Sequence, residues 1–289
     1  MDWTDKVRKT VQAALEEDLG VEGDISSSSI FGEDDFAEAI LTAKENGVIA
    51  GIEVARMVLS FFTGNIHFTA HVSDGDRVQK GDTLVVIAGP VRVLLAAERT
   101  MLNFMQRMSG IATMANRYQE ACRGTKCRIL DTRKTAPGLR FIDKLAVRAG
   151  GAYNHRMGLF DMVMLKDNHI KAAGGITAAV QSVRKTLPLS TKIEVETTNL
   201  AEVSEALEQH VDLIMLDNMS NEAMLEAVRY IGGRCLTEAS GNMTLERIPS
   251  VAALGVDYIS VGALTHSVKA LDISMNFKEN RKIISYLAI

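Results

Sequence analysis

Apolar positions in the first third of the chain change period several times. Over residues 4–18, Val7, Val11, Ala14 and Leu15 fall on one face of a helix, and Gly20 follows as a stop. Residues 37–43 and 48–52 read as strands on either side of Asn46-Gly47, a two-residue hairpin signal. Residues 53–62 return to helical spacing, and 66–72 and 83–88 read as strands around DGDRVQKGD, which carries two glycine-containing turns. This is an α+β grammar with antiparallel pairing. Residues 91–121 predict a long helical stretch broken at Ser109-Gly110, and the break is taken as a domain junction, with a first domain over 1–109 and a second over 110–270.

From residue 127 the pattern becomes strand, loop, helix, repeated. Short apolar runs at 127–131, 161–166, 192–196, 212–217, 235–239 and 257–261 predict strands. Helical spacing lies between them near 140–149, 176–186, 200–209, 220–230 and 244–254. Three successive strand ends, at 196, 217 and 238, are 21 residues apart. Alternation at this spacing implies parallel βαβ units. Eight units would close a barrel; two are missing, so the fold class is α/β with an open, incomplete parallel α/β barrel.

Composition narrows the function. The 289 residues are 47% hydrophobic and 24% charged, which excludes a disordered or fibrous chain. The net charge of −4 argues against a nucleic-acid binder, but residues 128–171 alone carry nine Lys/Arg against four Asp, a local +5 that leaves −9 elsewhere. A basic centre in an acidic protein suits a small polyanion. Three cysteines without a CxxC argue against a disulfide framework or a zinc site. No apolar run is long enough to span a membrane, and the acidic amphipathic start has no signal-peptide core, so a cytoplasmic protein is expected.

The predicted strands end in charge or glycine: Asp131-Thr132-Arg133-Lys134, Lys166-Asp167-Asn168-His169, Glu194-Val195-Glu196, Asp217-Asn218, Glu238-Ala239-Ser240-Gly241 and Val261-Gly262-Ala263. In parallel α/β folds the strand C-termini share one face, and that face carries the chemistry. Each residue also has a plain structural reading. Isolated Lys or Arg residues are mostly solvated. Asp217 could cap the helix near 220–230. Gly241 and Gly262 could be turn glycines, and one of Glu194 and Glu196, which share a strand face, could be a structural rim charge. His155 alone would read as structural; beside Arg156 and after Gly150-Gly151 it reads as part of an anion pocket. Taken together, the cations, two carboxylates and glycine turns suit a sugar-phosphate or phosphoribosyl enzyme. Backbone N–H groups at the turns can cradle phosphate, carboxylates can hold ribose hydroxyls or hydrated Mg²⁺, and Lys and Arg can neutralise carboxylates and diphosphate. The DGDRVQKGD hairpin is similar to those of lipoyl and biotinyl carriers, but Lys80 lies inside the turn and no second half-motif follows, so a compact turn pair is expected.

The segments AERTMLNFMQRMSGIAT (97–113), DTRKTAPGLR (131–140), AVRAGGAYNHRMGLFDMVMLKDNHI (146–170), IEVET (193–197), IMLDNM (214–219), EASGNM (238–243) and GVDYISVGALTHSVKALDIS (255–274) resemble the quinolinate phosphoribosyltransferases across essentially the whole chain. The resemblance implies an N-terminal α/β sandwich packed with an open α/β barrel, a homodimer or assembly of dimers with shared active sites, and a final segment (271–289) returning to the first domain. It also implies Mg²⁺-dependent joining of quinolinate to 5-phosphoribosyl-1-diphosphate, giving nicotinate mononucleotide, CO₂ and diphosphate in NAD synthesis.

On the same basis, Arg133, His155 and Arg156 would hold the two quinolinate carboxylates, and Arg99 would reach that pocket from the neighbouring subunit. Lys134 and Lys166 would contact substrate anions and the leaving diphosphate, with Asn168 and His169 supporting Lys166. Glu196 and Asp217 would bind ribose hydroxyls and help place Mg²⁺. Ser240, Gly241, Gly262 and Ala263 would cradle the 5-phosphate. The chain departs from the family's pattern at Gly150-Gly151-Ala152, where three glycines are common, and at Asn242-Met243, where Gly-Ile is commoner; neither removes a charge. A related branch associated with molybdate transport diverges at the stretch matching KDNH, which is retained here. The alternatives are a related transferase for another pyridine or purine acceptor, and a non-catalytic nucleotide-binding or carrier protein. No nucleic-acid or membrane partner is expected.

Overall fold

The computed structural model describes residues 3–278. The chain opens with α1 (Trp3–Leu19), α2 (Ile25–Ile30), β1 (Phe36–Ala43), β2 (Gly47–Val48), α3 (Ile52–Leu59), β3 (His67–Ala70), β4 (Arg77–Val78), β5 (Thr83–Pro90) and α4 (Val91–Ala121). It continues through β6 (Arg128–Leu130), α5 (Arg140–Ala149), β7 (Val163–Leu165), α6 (Asp167–Ala173), α7 (Ile176–Thr186), β8 (Ile193–Thr197) and α8 (Leu200–Glu208). It closes with β9 (Leu213–Asp217), α9 (Asn221–Ile231), β10 (Leu236–Ser240), α10 (Ile248–Ala252), β11 (Tyr258–Ser260), α11 (Ala263–His266) and β12 (Ile273–Phe277). Two compact units result, one from the described parts of 1–114, 136–151 and 267–289, the other from 115–135 and 152–266.

The first unit holds an antiparallel sheet ordered β12-β1-β5-β3 and a two-stranded pair β2-β4. Helix α1 buries Val7, Val11 and Leu15 and packs against α3 and α5, with the Trp3 ring edge-on to Phe141 at 5.4 Å. The strands at 66–72 and 83–88 pair as expected, with His67 opposite Ala88. The hairpin expected at Asn46-Gly47 does not form. β1 pairs instead with β5 and with β12, which arrives from the other end of the chain, and β2 pairs with β4. The glycine answers a packing demand: a Cβ at Gly47 would lie 2.6 Å from both Leu271 Cδ1 and Thr113 Oγ1. Asn46 Oδ1 accepts the Lys80 N–H at 2.8 Å. In DGDRVQKGD, Asp76 and Asp82 accept N–H groups three residues back, from Ser73 and Gln79, and Gly75 and Gly81 both have φ +100. It is the compact turn pair expected. Residues 279–289, the last part of the segment expected to return to the first domain, lie outside the described residues.

The break expected at Ser109-Gly110 is also absent, since α4 runs unbroken through it. Gly110 is needed for close approach, because a Cβ there would stand 2.1 Å from the Lys269 carbonyl oxygen, and Ser109 Oγ accepts the Ala50 N–H at 3.0 Å. The same helix carries Arg107, which forms a bidentate pair with fully buried Asp143 at 2.8 and 2.9 Å. Burial pushes the Asp143 carboxyl above its usual range, and Arg107 opposes that shift. Arg107→Met should therefore leave a dry, unpaired acid and cost about 3–5 kcal/mol, read as a lower urea midpoint with unchanged slope.

In the second unit six parallel strands form one sheet, ordered β6-β11-β10-β9-β8-β7. All six fall within two residues of the apolar runs in the sequence. Their centres, such as Val195, Ile214, Leu216, Ala239 and Ile259, are fully buried, and burying one Val, Ile or Leu side chain is worth about 1.5–3 kcal/mol. The sheet does not close: β7 is one edge, and Tyr153 bridges Leu130 beside the other. This is the open α/β arrangement expected. At the strand starts, Asp212 accepts the Ile193 N–H and Asp257 accepts from Thr237 N and Oγ1, each at 2.9 Å, tying neighbouring strands together. The helix expected over 244–254 shrinks to α10, which starts so that Pro249 falls in its first turn, where a missing N–H costs no intrahelical bond.

Candidate active site

Parallel register puts all six strand C-termini on one rim, in the order β7, β8, β9, β10, β11, β6. Lys166, Glu196, Asp217, Ser240-Gly241, Gly262-Ala263 and Arg133-Lys134 follow that order around it. Neighbouring contacts link the series. Lys166 Nζ lies 3.7 Å from Glu196 Oε2. Burial raises the Glu196 carboxyl, Lys166 opposes this, and the Asp217 charge adds to it, so the two carboxylates face common space. Asn218 N donates to Ser240 O at 3.0 Å, and Thr265 Oγ1 donates to Lys134 O at 2.8 Å. A Cβ at Gly262 would come within 3.1 Å of Lys134 Cδ.

The structural readings resolve separately. Ser220, not Asp217, caps α9, its hydroxyl accepting the Ala223 N–H at 3.2 Å. Asp217 is left at the rim with Asn218 Nδ2 on its Oδ2 at 2.6 Å. Gly241 has φ +92, and a Cβ there would stand 2.2 Å from Asn218 Oδ1, so the turn requires glycine irrespective of any ligand. His169 Nδ1 accepts the Lys166 N–H at 3.1 Å, which fixes the start of α6. The Asn168 backbone N–H donates to Asp167 Oδ1 at 2.7 Å in the same turn.

Arg133 and Arg156 approach each other from different segments. Burial lowers the Arg156 pKa, and the Arg133 charge lowers it further, while Glu194 and Asp161 act the other way. Two guanidiniums that repel one another in a half-buried setting favour an anion between them. The loop carrying Arg156 is pinned at both ends. Asp131, fully buried, accepts from His155 N at 2.9 Å and from Asn154 Nδ2 at 2.6 Å, and Asp161 accepts from Met157 N and Gly158 N at 2.6 and 3.0 Å. Arg156 Nη1 donates to Met162 O at 3.1 Å.

The His155 side chain is 6% exposed, with Nε2 3.1 Å from Glu194 and 3.3 Å from Glu238, and both of those side chains are fully buried. Burial works against the imidazolium, but hydrogen bonding to Glu194 and Glu238 outweighs it and His155 is pushed up to about 10. Burial, then the Glu238 charge, pushes Glu194 up to about 7. His155 and Glu194 therefore titrate as a coupled pair that keeps a proton at neutral pH. Nδ1 accepts the Arg156 N–H at 2.7 Å, a contact open only to the neutral ring, so the ring carries its hydrogen on Nε2 and the retained proton sits on the Glu194 side of the pair.

Of the twelve candidate residues, eleven lie in the second unit; Arg99 is exposed on α4 in the first. Sequence reasoning gave no role to Glu238, Asp131 or Arg247. Asp131 and Glu238 were visible in the sequence only as strand-end acids, and Glu194 as an acid within a buried-type strand run. Among the described residues, the one cluster of three metal-type donors is His155, Glu194 and Glu238. Glu196 and Asp217 supply two hard oxygen donors, which suits Mg²⁺ only if water or substrate oxygens complete its shell.

Residues 111–276 match the C-terminal domain of quinolinate phosphoribosyl transferase, and residues 24–109 match its N-terminal domain. The chain belongs to the quinolinate phosphoribosyltransferase family. One relative, the decarboxylating quinolinate phosphoribosyltransferase 1b of Nicotiana tabacum, is 47% identical over 287 residues, covering 93% of this chain and 81% of that protein. A second, the probable carboxylating nicotinate-nucleotide pyrophosphorylase of Bacillus subtilis, is 42% identical over 271 residues, covering 94% and 93%. The crystal structure of NadC from Streptococcus pyogenes has a TM-score of 0.90 and 43% identity, covering 95% of this chain and 98% of that one. No helix among the described residues is long and apolar enough to cross a membrane.

Proposed function

We propose that this chain transfers the phosphoribosyl group of 5-phosphoribosyl-1-diphosphate to the ring nitrogen of quinolinate and releases CO₂, forming nicotinate mononucleotide and diphosphate for NAD synthesis. The observation that carries this reading is the rim itself, where Arg133, Lys134, Lys166, Glu196 and Asp217 stand at successive parallel strand ends, with Arg156 near enough to Arg133 to feel its charge. Two guanidiniums suit an acceptor with two adjacent carboxylates. The carboxylate side of the rim suits ribose hydroxyls.

In chemical terms, the bond from the ribose anomeric carbon to diphosphate breaks as the bond to the pyridine nitrogen forms. Lys134 and Lys166 stabilise the departing negative charge, and Glu196 and Asp217 stand beside the ribosyl centre as it becomes positive. The positively charged ring nitrogen then accepts the electron pair left when the adjacent carboxylate departs as CO₂, and a proton replaces it on carbon. Arg133 and Arg156 orient the acceptor; His155, expected to share that contact, turns both ring nitrogens inward to Glu194, Glu238 and the Arg156 N–H and acts from beneath. The turns at Ser240-Gly241 and Gly262-Ala263 offer backbone N–H groups to the 5-phosphate. Glu196 and Asp217 would hold Mg²⁺ if water completes its shell, and the ion would supply positive charge to offset that of the leaving diphosphate.

A homodimer with shared sites, Arg99 entering from the neighbour, and a cytoplasmic location complete the reading. Arg99's exposure on α4 and the three free thiols, Cys122, Cys127 and Cys235, support it. The decisive assay follows nicotinate mononucleotide formed from quinolinate, nicotinate and nicotinamide with 5-phosphoribosyl-1-diphosphate and Mg²⁺. Strong preference for quinolinate is expected. Equal or greater turnover with nicotinate, nicotinamide or a purine base would favour a different transferase.

A further inference from the structure

One rung below the rim, the sheet interior carries charge where packed hydrocarbon is the rule for such barrels. Glu194 on β8 lies two residues before Glu196, and Glu238 on β10 two before Ser240. Register puts all four on one face, with Leu213 and Met215 of β9 between them. Glu194 and Glu238 are fully buried, and neither oxygen of either carboxylate has a hydrogen-bond partner among the described residues, His155 Nε2 standing at ion-pair distance. Dehydrating each carboxylate costs several kcal/mol, and such clusters are often no more stable than apolar replacements. A half-satisfied charged layer therefore does not earn its place through stability.

Geometry gives it another role. His155 is held at three points: Nε2 faces the two acids at 3.1 and 3.3 Å, Nδ1 accepts the Arg156 N–H at 2.7 Å, and its own N–H donates to Asp131 at 2.9 Å. Fixing the ring fixes the backbone at Arg156, where the side chain starts. The Glu194 charge also acts directly on the Arg156 guanidinium, partly offsetting its repulsion from Arg133.

We propose that Glu194 and Glu238 are positioning residues for the dicarboxylate acceptor: clamping His155 from two strands, they aim Arg156 and hold the Arg133–Arg156 pair together before the acceptor arrives. The inference rests on the acceptor reading given above. It assigns the acids to quinolinate binding and not to the phosphoribosyl donor, whose proposed contacts lie on the rim above them.

The test is steady-state kinetics on full-length Glu194→Gln and Glu238→Gln, which keep side-chain size and remove one charge. Loss of binding energy present in both ground and transition states raises KM more than it lowers kcat, so quinolinate KM should rise about tenfold or more while the donor KM stays within about twofold. Should a single variant misfold, Glu194→Leu combined with Glu238→Met removes both charges together and leaves no unpaired acid; the same selective rise in quinolinate KM is expected. Unchanged quinolinate KM in folded variants would overturn the inference. So would equal rises in both KM values, or a fall in kcat that only tracks lost folded protein. A stoichiometric transition metal in chelator-dialysed wild-type protein, lost in the variants, would make the cluster a metal site instead. Wild-type protein that makes no nicotinate mononucleotide defeats the acceptor reading itself; normal wild-type turnover with unaltered variants defeats only the positioning role.

Discussion

Lys134→Ala is expected to lower kcat by about a hundred- to a thousandfold, the usual consequence of deleting one preorganised electrostatic contact to a developing charge. Lys134 is exposed at the end of β6, between Arg133 and the Gly262 turn, with its backbone carbonyl held by Thr265. That hydrogen bond survives the substitution, and no core packing is lost. Stability should stay within about 0.5 kcal/mol of wild type, as for an ordinary surface change. Pre-steady-state measurement of diphosphate release, with thermal melting as the control, separates the two effects. Near-normal turnover would remove Lys134 from the reaction.

Arg99→Ala should be comparably inactive alone and rescued by mixing. If Arg99 serves the neighbour's site, a heterodimer of Arg99→Ala and Lys134→Ala chains contains one site with both residues intact. Random reassortment of a two-fold dimer would then restore about a quarter of wild-type activity. If Arg99 serves its own chain, every site in the mixture lacks one of the two residues and activity stays at the level of the single variants. Activity after subunit exchange, titrated against mixing ratio, distinguishes these outcomes.

The parallel half of the fold was legible because each strand is a short apolar run ending in charge or glycine. That pattern needs no knowledge of distant contacts, and it located Lys166, Glu196 and Asp217 at strand ends directly. The first unit was less legible where pairing is long-range. Asn46-Gly47 has the composition of a hairpin, yet β12 from the far end of the chain pairs with β1, and Gly47 makes room for Leu271 and Thr113. Ser109-Gly110 looked like a helix break for the same reason: Gly110 is small to admit the Lys269 carbonyl, and that need leaves no local trace.

Within the site, the rim was readable and the layer beneath was not. Period-two alternation puts Glu194 on the face of Glu196, but it says nothing of depth. Pairing Glu194 with Glu238 requires the strand order across β9, and placing His155 between them requires the Tyr153 segment to run beside β6. Asp131 was visible as a strand-end acid; that its carboxylate holds the His155 loop follows only from that return of the chain.

The central claim is that Arg133 and Arg156 form one receptor for two adjacent carboxylates, with the sugar on the Glu196–Asp217 side. A crystal structure of the chain with quinolinate and a non-reactive analogue of 5-phosphoribosyl-1-diphosphate tests it most directly. The account predicts both guanidiniums on the quinolinate carboxylates and the ribose hydroxyls on Glu196 and Asp217. Quinolinate bound away from Arg133 and Arg156, or a ribose turned away from those two acids, would contradict it.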